Sequence, residues 1–437
     1  MIQSILFLIV ACASSWFALQ GFRRVRRNIL LGKADPTTGN TAQRWRNVLL
    51  IALGQQKMFK NWLPAVLHFF LYAAFVITQV ELIEIFVDGL FGSHRFFAPI
   101  LGGFYTFVIS FIEVLSVLAF VATIIFLARR NMLRVPRFWK PEMKGFPFRD
   151  ANLILLGEIV LIVGVFCMNG GDKVLQARGV EHYHTTGNFA VSTWLGPLLF
   201  GSLSDTTVFV VERFGWWLHI TTVFAFLCYL PYSKHLHIVL AFPNTWYASL
   251  APKGKMTNMP EIQSEVRAMM GLEPLPGETS TATGAFEFGA NDVFSLGWKN
   301  LLQAYSCTEC GRCTDACPAN QTGKKLSPRK VMMDVRDRAD EVGRAIEAGK
   351  GDPAAFNDGK SLFDRITPEE IHACTTCNAC VEACPVLINP LDIILQMRRH
   401  EILTQSAGPG DWLPMFNAIE NTGGAWAMSE PRDAWRS

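Results

Sequence analysis

Eight cysteines in two copies of one pattern constrain this chain more than any other feature. Residues 307–318 read CTECGRCTDACP and residues 374–385 read CTTCNACVEACP. Each is C-x2-C-x2-C-x3-C-P, a spacing that holds 4Fe–4S clusters. Three cysteines in one tight loop take three corners of a cubane, and the fourth reaches the other cluster in two-cluster proteins. The expectation is a crossed pair: Cys307, Cys310, Cys313 and Cys384 on one cluster, and Cys374, Cys377, Cys380 and Cys317 on the other. Pro318 and Pro385 turn the chain away after the last ligand. Disulfides explain the pattern badly, because cysteines three apart within one turn have poor disulfide geometry. Four-cysteine zinc sites are satisfied by C-x2-C pairs and need no C-x3-C-P ending. With no open iron on either cluster, the role expected is electron relay, and no catalytic residue is assigned.

The polar stretch after residue 250 contrasts with the rest of the chain. Half of the 437 residues are hydrophobic, so the apolar ones concentrate in the first part, which is a membrane composition. A net charge of +3 gives no nucleic-acid footprint. Cys12, Cys167 and Cys228, outside the motifs, lie in apolar stretches and read as small hydrophobes. The fold class expected is all-α: a five-span transmembrane bundle followed by a small helical, ferredoxin-like two-cluster domain.

The spans are expected near 2–20, 62–87, 104–128, 151–169 and 214–240, within a membrane domain of residues 1–250. IVAC at 9–12 mimics a lipoprotein box, but the arginines at 23–27 follow the apolar run rather than precede it, so the run reads as a first span and not a signal. Trp45 to Phe59 is expected as an interfacial helix. The loops at 21–60 and 129–150 carry nine and seven Lys/Arg, against one and three in 88–103 and 170–213. The positive-inside rule puts the basic pair in the cytoplasm. The N-terminus is then outside and the C-terminus inside, where a reducing compartment suits cluster cysteines. A polar linker is expected over 251–295, with the run ETSTATG, then the cluster domain over 296–404. The tail 405–437 carries Trp412, Trp426 and Trp435, and such an enrichment suggests a docking surface.

Polar residues inside spans are costly and usually functional. His68 lies on the second span, and His219 and His237 fall on the expected fifth. Eighteen residues apart on one helix, the latter two share a face and stand about 27 Å apart, near opposite membrane surfaces. His68 and His237 match in depth and are expected to sandwich a b-type haem on the cytoplasmic side, since neutral imidazole is its usual axial ligand. His219 is the candidate for a second haem, with His94, His182 and His184 as partners to consider. His235 is read as facing elsewhere, beside Lys234. Glu81, Glu84, Glu113 and Glu158 are the candidates for proton handling or quinone chemistry.

The stretch WWLHITTVFAFLCYLPYSKHLHI at 216–238 resembles the gamma subunit of respiratory nitrate reductase and the cytochrome subunit of membrane-bound heterodisulfide reductase. His219 and His237 are similar to that family's pair on the last span, and His68 to its histidine on the earlier one. Thr78 stands where the nitrate reductase pattern has a further histidine. Residues 300–404 resemble the cluster subunit of heterodisulfide reductase, also seen in anaerobic glycerol-3-phosphate dehydrogenase. The resemblance implies a membrane cytochrome b fused to a two-cluster domain. It would relay electrons between the quinone pool, haem b, two 4Fe–4S clusters and a cytoplasmic redox partner. In longer fused relatives cysteine-rich catalytic repeats follow. No cysteine follows Cys384, so a separate subunit with such repeats or a flavin is expected. The alternatives are a self-sufficient quinone oxidoreductase acting on a soluble carrier such as electron-transfer flavoprotein, and a membrane-anchored redox sensor. No Gly-rich dinucleotide fingerprint is present, so no bound NAD or flavin is expected.

Overall fold

The computed structural model describes residues 2–252, 254–273, 288–349, 356–426 and 433–436. Among them there is no strand, only an isolated bridge between Lys33 and Gly297. Five helical segments are long and apolar enough to cross a membrane. They are α1 (Ile2–Ile29), α2 (Trp62–Ile77) continued by α3 (Gln79–Phe91), α4 (Gly103–Asn131), α5 (Phe146–Ala177) and α6 (Asp205–Tyr229) with its last turn. Their outer faces leave Ile5, Ile9, Phe104, Phe107 and Phe111 exposed. Such a continuous apolar surface is stable against lipid and not against water.

The chain divides into two compact units. The first comprises Met1–Arg26, Arg46–Pro243 and Thr308–Cys310. Its core joins Phe7 of α1, Ile85 of α3, Met168 of α5, and Trp216, Ile220 and Phe224 of α6. α5 and α6 approach almost backbone to backbone. A Cβ on Gly164 would come 2.9 Å from the His219 nitrogen, and one on Gly215 would come 2.5 Å from that of Met168. Small residues at such crossings are how membrane helices gain close packing.

The uninterrupted fifth helix expected over 214–240 is corrected. α6 begins nine residues earlier, at Asp205, where Ser204 accepts a hydrogen bond from the Thr207 N–H, and ends at Tyr229. Two 3-10 turns follow, Leu230–Tyr232 and Lys234–Leu236, and α7 (His237–Tyr247) starts afresh. Pro231 is the cause: it has no N–H to give, and its ring clashes with the carbonyl four residues back. His219 and His237 therefore lie on different helices, and no shared face or 27 Å separation follows. His219 falls about 21 Å into α6, in mid-span rather than near a surface. α5 is also longer than expected. Its last turns carry Asn169, Asp172, Lys173 and Gln176, all buried.

The second unit comprises Arg27–Trp45, Asn244–Cys307 and Gly311–Ser437. It is built from α8 (Trp298–Tyr305), α9 (Arg312–Asp315), α10 (Pro328–Glu347), α11 (Ala379–Ala383) and α12 (Pro390–Arg399). α10 buries Val331, Met332, Val335, Ala339 and Val342 at helical spacing. On the same helix Arg338, 1% exposed, pairs with Asp292 at 2.6 Å and Asp358 at 2.7 Å. In the expected linker, Pro260–Met269 is helical, whereas the run at 278–284 lies outside the described residues.

Candidate redox centres

The two cysteine loops repeat each other residue for residue. Glu309 and Thr376, each before the second cysteine of its motif, have φ of 55° and 56°. Gly311 and Asn378, each after that cysteine, have φ of 75° and 61°. Left-handed backbone is uncommon outside glycine and an outlier for a β-branched residue such as Thr376. Strain of this kind persists where the surroundings enforce it, typically at functional sites. The short helices α9 and α11 follow the two loops and pack together. Cys317 and Cys384 then stand in extended backbone, each before a proline.

Cys317 lies with the second loop. Burial, then the thiols of Cys374, Cys317 and Cys377, push the Cys380 thiol up to about 12. Cys374 is raised by burial, with Cys317 and Cys377 adding to the effect. Cys374 and Cys380, which burial and crowding keep protonated when alone, ionise readily when a cluster supplies positive charge. Backbone N–H groups already face two sulfurs, Thr376 to Cys374 at 3.4 Å and Ile388 to Cys384 at 3.3 Å. Such bonds stabilise cluster-bound sulfur. Among the described residues no three His, Cys, Asp or Glu converge on a single-ion site. Sulfurs at the corners of a cubane need no such convergence.

The histidines share one feature. His68 Nδ1 meets Gln55 Oε1 at 3.1 Å, His219 Nδ1 the Leu161 carbonyl at 3.2 Å, and His237 Nδ1 the Lys234 carbonyl at 2.8 Å. An oxygen at Nδ1 places the proton there and the ligating lone pair on Nε2, the second-sphere arrangement of metal-bound histidines. His235, expected to face elsewhere, instead lies beside the pair. Its ring is 6.2 Å from that of His237, and burial with the imidazoles of His237 and His68 pushes it down to about 3. Lys234, whose carbonyl holds His237, donates its ammonium to Glu309 and to the Pro147 carbonyl.

Three of the four proton-handling candidates meet in one buried network around Arg95, which sequence reasoning missed. Arg95 lies 3.6 Å from Glu81, 3.9 Å from Glu84 and 3.1 Å from Asp172. Asn169 donates to Glu81 at 3.3 Å and to Glu113 at 3.4 Å. Tyr105 donates to Glu84 at 2.7 Å, and the Val191 and Ser192 N–H groups cap Glu113 at 2.7 and 3.0 Å. Glu158 is separate, about 16 Å before Asn169 along α5. His94 joins the network through Asp172 at 2.9 Å, and its ring centroid is 6.3 Å from that of His182. The sequence signal was there: NGGDK at 169–173 puts buried polar groups at the end of an apolar run.

The tail tryptophans differ. Trp412 packs edge-on against His372 at 4.9 Å, so it is used within the chain. Trp426 and Trp435 are each 78% exposed.

Residues 306–388 match the model of the 4Fe-4S dicluster domain. The chain is 26% identical, over 99% of its length, to the probable iron-sulfur-binding oxidoreductase FadF of Bacillus subtilis, of which it covers 61%. It is 26% identical, over 94%, to the EtfAB:quinone oxidoreductase of Syntrophomonas wolfei, of which it covers 56%. Over 25% of its length it is 29% identical to a heterodisulfide reductase-like protein of Archaeoglobus profundus, of which it covers 45%. The chain thus spans a little over half the length of the two long relatives. No solved structure matches it. Helices built for lipid and a double cysteine motif on one polypeptide make this an electron-transfer membrane protein with a heterodisulfide-reductase-like 4Fe–4S dicluster domain.

Proposed function

We propose that this chain carries electrons between a quinol in the membrane and a redox partner on the side of its basic loops. By the positive-inside rule that side is the cytoplasmic face of the inner membrane, with the N-terminus outside and the clusters inside. The observation that carries the reading is the histidine pair His68 and His237, each with Nδ1 committed to an oxygen. Two such imidazoles fit the axial positions of a b-type haem. His219, held the same way, is the candidate for a second. Cys307, Cys310, Cys313 and Cys384 hold one cluster, and Cys317, Cys374, Cys377 and Cys380 the other. When bound, haem and clusters supply one-electron steps between a two-electron quinol and the partner. The chain's own part is to fix these ligands, keep water from them, and take up protons through carboxylates such as Glu81, Glu84, Glu113 and Glu158.

For the partner, similarity along 94% of the chain to an EtfAB:quinone oxidoreductase favours an electron-transfer flavoprotein over a subunit with cysteine-rich repeats. The test uses the protein purified from membranes. Reduced flavoprotein and a soluble quinol are added separately while cluster and haem absorbance are followed. Reduction by both supports the full relay. Reduction by quinol alone points to another partner, and reduction by neither removes the quinone-linked reading.

A further inference from the structure

We propose that a pocket formed by α1, α3, α5 and α6 is the quinol site of this chain, and that His94 is the base that takes the ring hydroxyl proton. The proposal rests on the quinone-linked reading above and gives it a place. The pocket holds about 150 Å³. Ile85, Met168, Phe209 and Trp216 line its apolar side, which suits a flat ring with a hydrocarbon tail. Its polar side carries His94, on the loop between α3 and α4.

Asp172, fully buried, accepts from His94 Nε2 at 2.9 Å, from Arg95 Nε at 3.1 Å and from Gln176 at 3.0 Å. An Asp172 carboxyl that accepts from all three groups leaves the imidazole proton on Nε2 and the lone pair on Nδ1. Nδ1 is buried and has no hydrogen-bond partner among the described residues. Tyr183 packs edge-on against the ring at 4.9 Å and fixes its rotation. The pocket's carboxylates are engaged. Glu84 accepts from Phe97 N–H and Tyr105 OH, Asp88 from Ser93 OH and the Arg95 and Phe96 N–H groups, and Glu212 from Tyr183 OH and Arg213. A carboxylate that orients an imidazole whose other nitrogen is unpartnered is the arrangement of a general base. What it asks for is a hydroxyl donor on an apolar body, which a hydroquinone supplies.

The step balances. One O–H bond of the hydroquinone breaks, and its proton goes to His94 Nδ1, where Asp172 stabilises the cation. His94 passes that proton to solvent at the pocket mouth and accepts the second. The ring, oxidised to the quinone, would give up two electrons, one at a time, to the one-electron acceptors that His68, His237 and the cysteine motifs would hold.

The full chain in lipid nanodiscs is titrated with heptyl-hydroxyquinoline N-oxide, a fluorescent quinol analogue, and reduced with menadiol or with dithionite. Trp216→Ala and, independently, Phe209→Ala should weaken analogue binding about tenfold through loss of ring contact. His94→Gln keeps a polar group but takes no proton. Menadiol-driven reduction should slow at least ~100-fold, the usual contribution of a general base, while analogue binding weakens far less than that, by the loss of one hydrogen bond. Dithionite reduction and iron content should stay at the wild-type level in all three. Wild-type menadiol rates in His94→Gln, or wild-type analogue binding in both aromatic variants, would overturn this site and leave the quinone-linked reading standing. A wild-type chain that neither binds the analogue nor accepts electrons from menadiol would overturn both.

Discussion

Replacing Cys317 by serine probes the crossed ligand arrangement directly. Cys317 belongs to the first motif by sequence, yet its thiol is among those that crowd Cys380 of the second. It is 7% exposed, so neither water nor another described side chain can step in easily. Two intact ligand sets hold about eight irons per chain, and loss of one set leaves about four. Left-handed backbone at Thr376 costs roughly 1–3 kcal/mol, and a bound cluster would hold it in place. An empty second loop should therefore relax and become cleavable by added protease. The assay is iron analysis with electron paramagnetic resonance of the reduced protein, on Cys317→Ser beside Cys377→Ser and Cys310→Ser. The Cys317→Ser spectrum should match that of Cys377→Ser. A match to Cys310→Ser would refute the crossed assignment.

Three further outcomes follow from packing and surface. Arg338→Met strips the counter-charge from Asp292 and Asp358 and should cost about 3–5 kcal/mol, as for other broken buried pairs; a midpoint of thermal unfolding equal to wild type would contradict this. Gly215→Val places side-chain atoms where even a Cβ comes 2.5 Å from the Met168 nitrogen. It should part α5 from α6 at a cost of at least ~1–3 kcal/mol, seen as loss of monodisperse protein in size-exclusion chromatography. Deleting residues 424–437 removes the exposed Trp426 and Trp435 and keeps Trp412 on His372. It should release the redox partner with iron and haem content unchanged, and equal partner affinity in a pull-down would rule the tail out as the dock.

The cysteine loops were legible in the sequence because their chemistry is local. Ligands within eleven residues of each other, followed by a proline, leave one reading. The five spans were legible for a similar reason, since each is a long apolar run. What escaped was non-local. Pro231 lies inside an apolar stretch, and hydropathy does not register a missing N–H, so the break between His219 and His237 was invisible to it. The Arg95 network joins a loop to α3, α4 and α5, with partners as far apart in sequence as Glu81 and Asn169. Each carboxylate stands out as a polar residue in a span, but only the fold says that Glu81 and Glu84 share Arg95 and that Asn169 ties Glu113 to them. In the sequence His94 is only a possible haem partner. Its role as the free end of a dyad depends on Asp172, which lies beyond the expected end of the fourth span.

One optical measurement bears on the electron route more directly than any other. The purified chain should show the Soret and α bands of a low-spin b-type haem. His68→Ala and His237→Ala should each abolish the same bands, because each supplies one axial ligand. His219→Ala should leave them in place. A spectrum with cluster absorbance but no Soret band, or bands that survive His68→Ala and vanish in His219→Ala, would contradict the proposed relay.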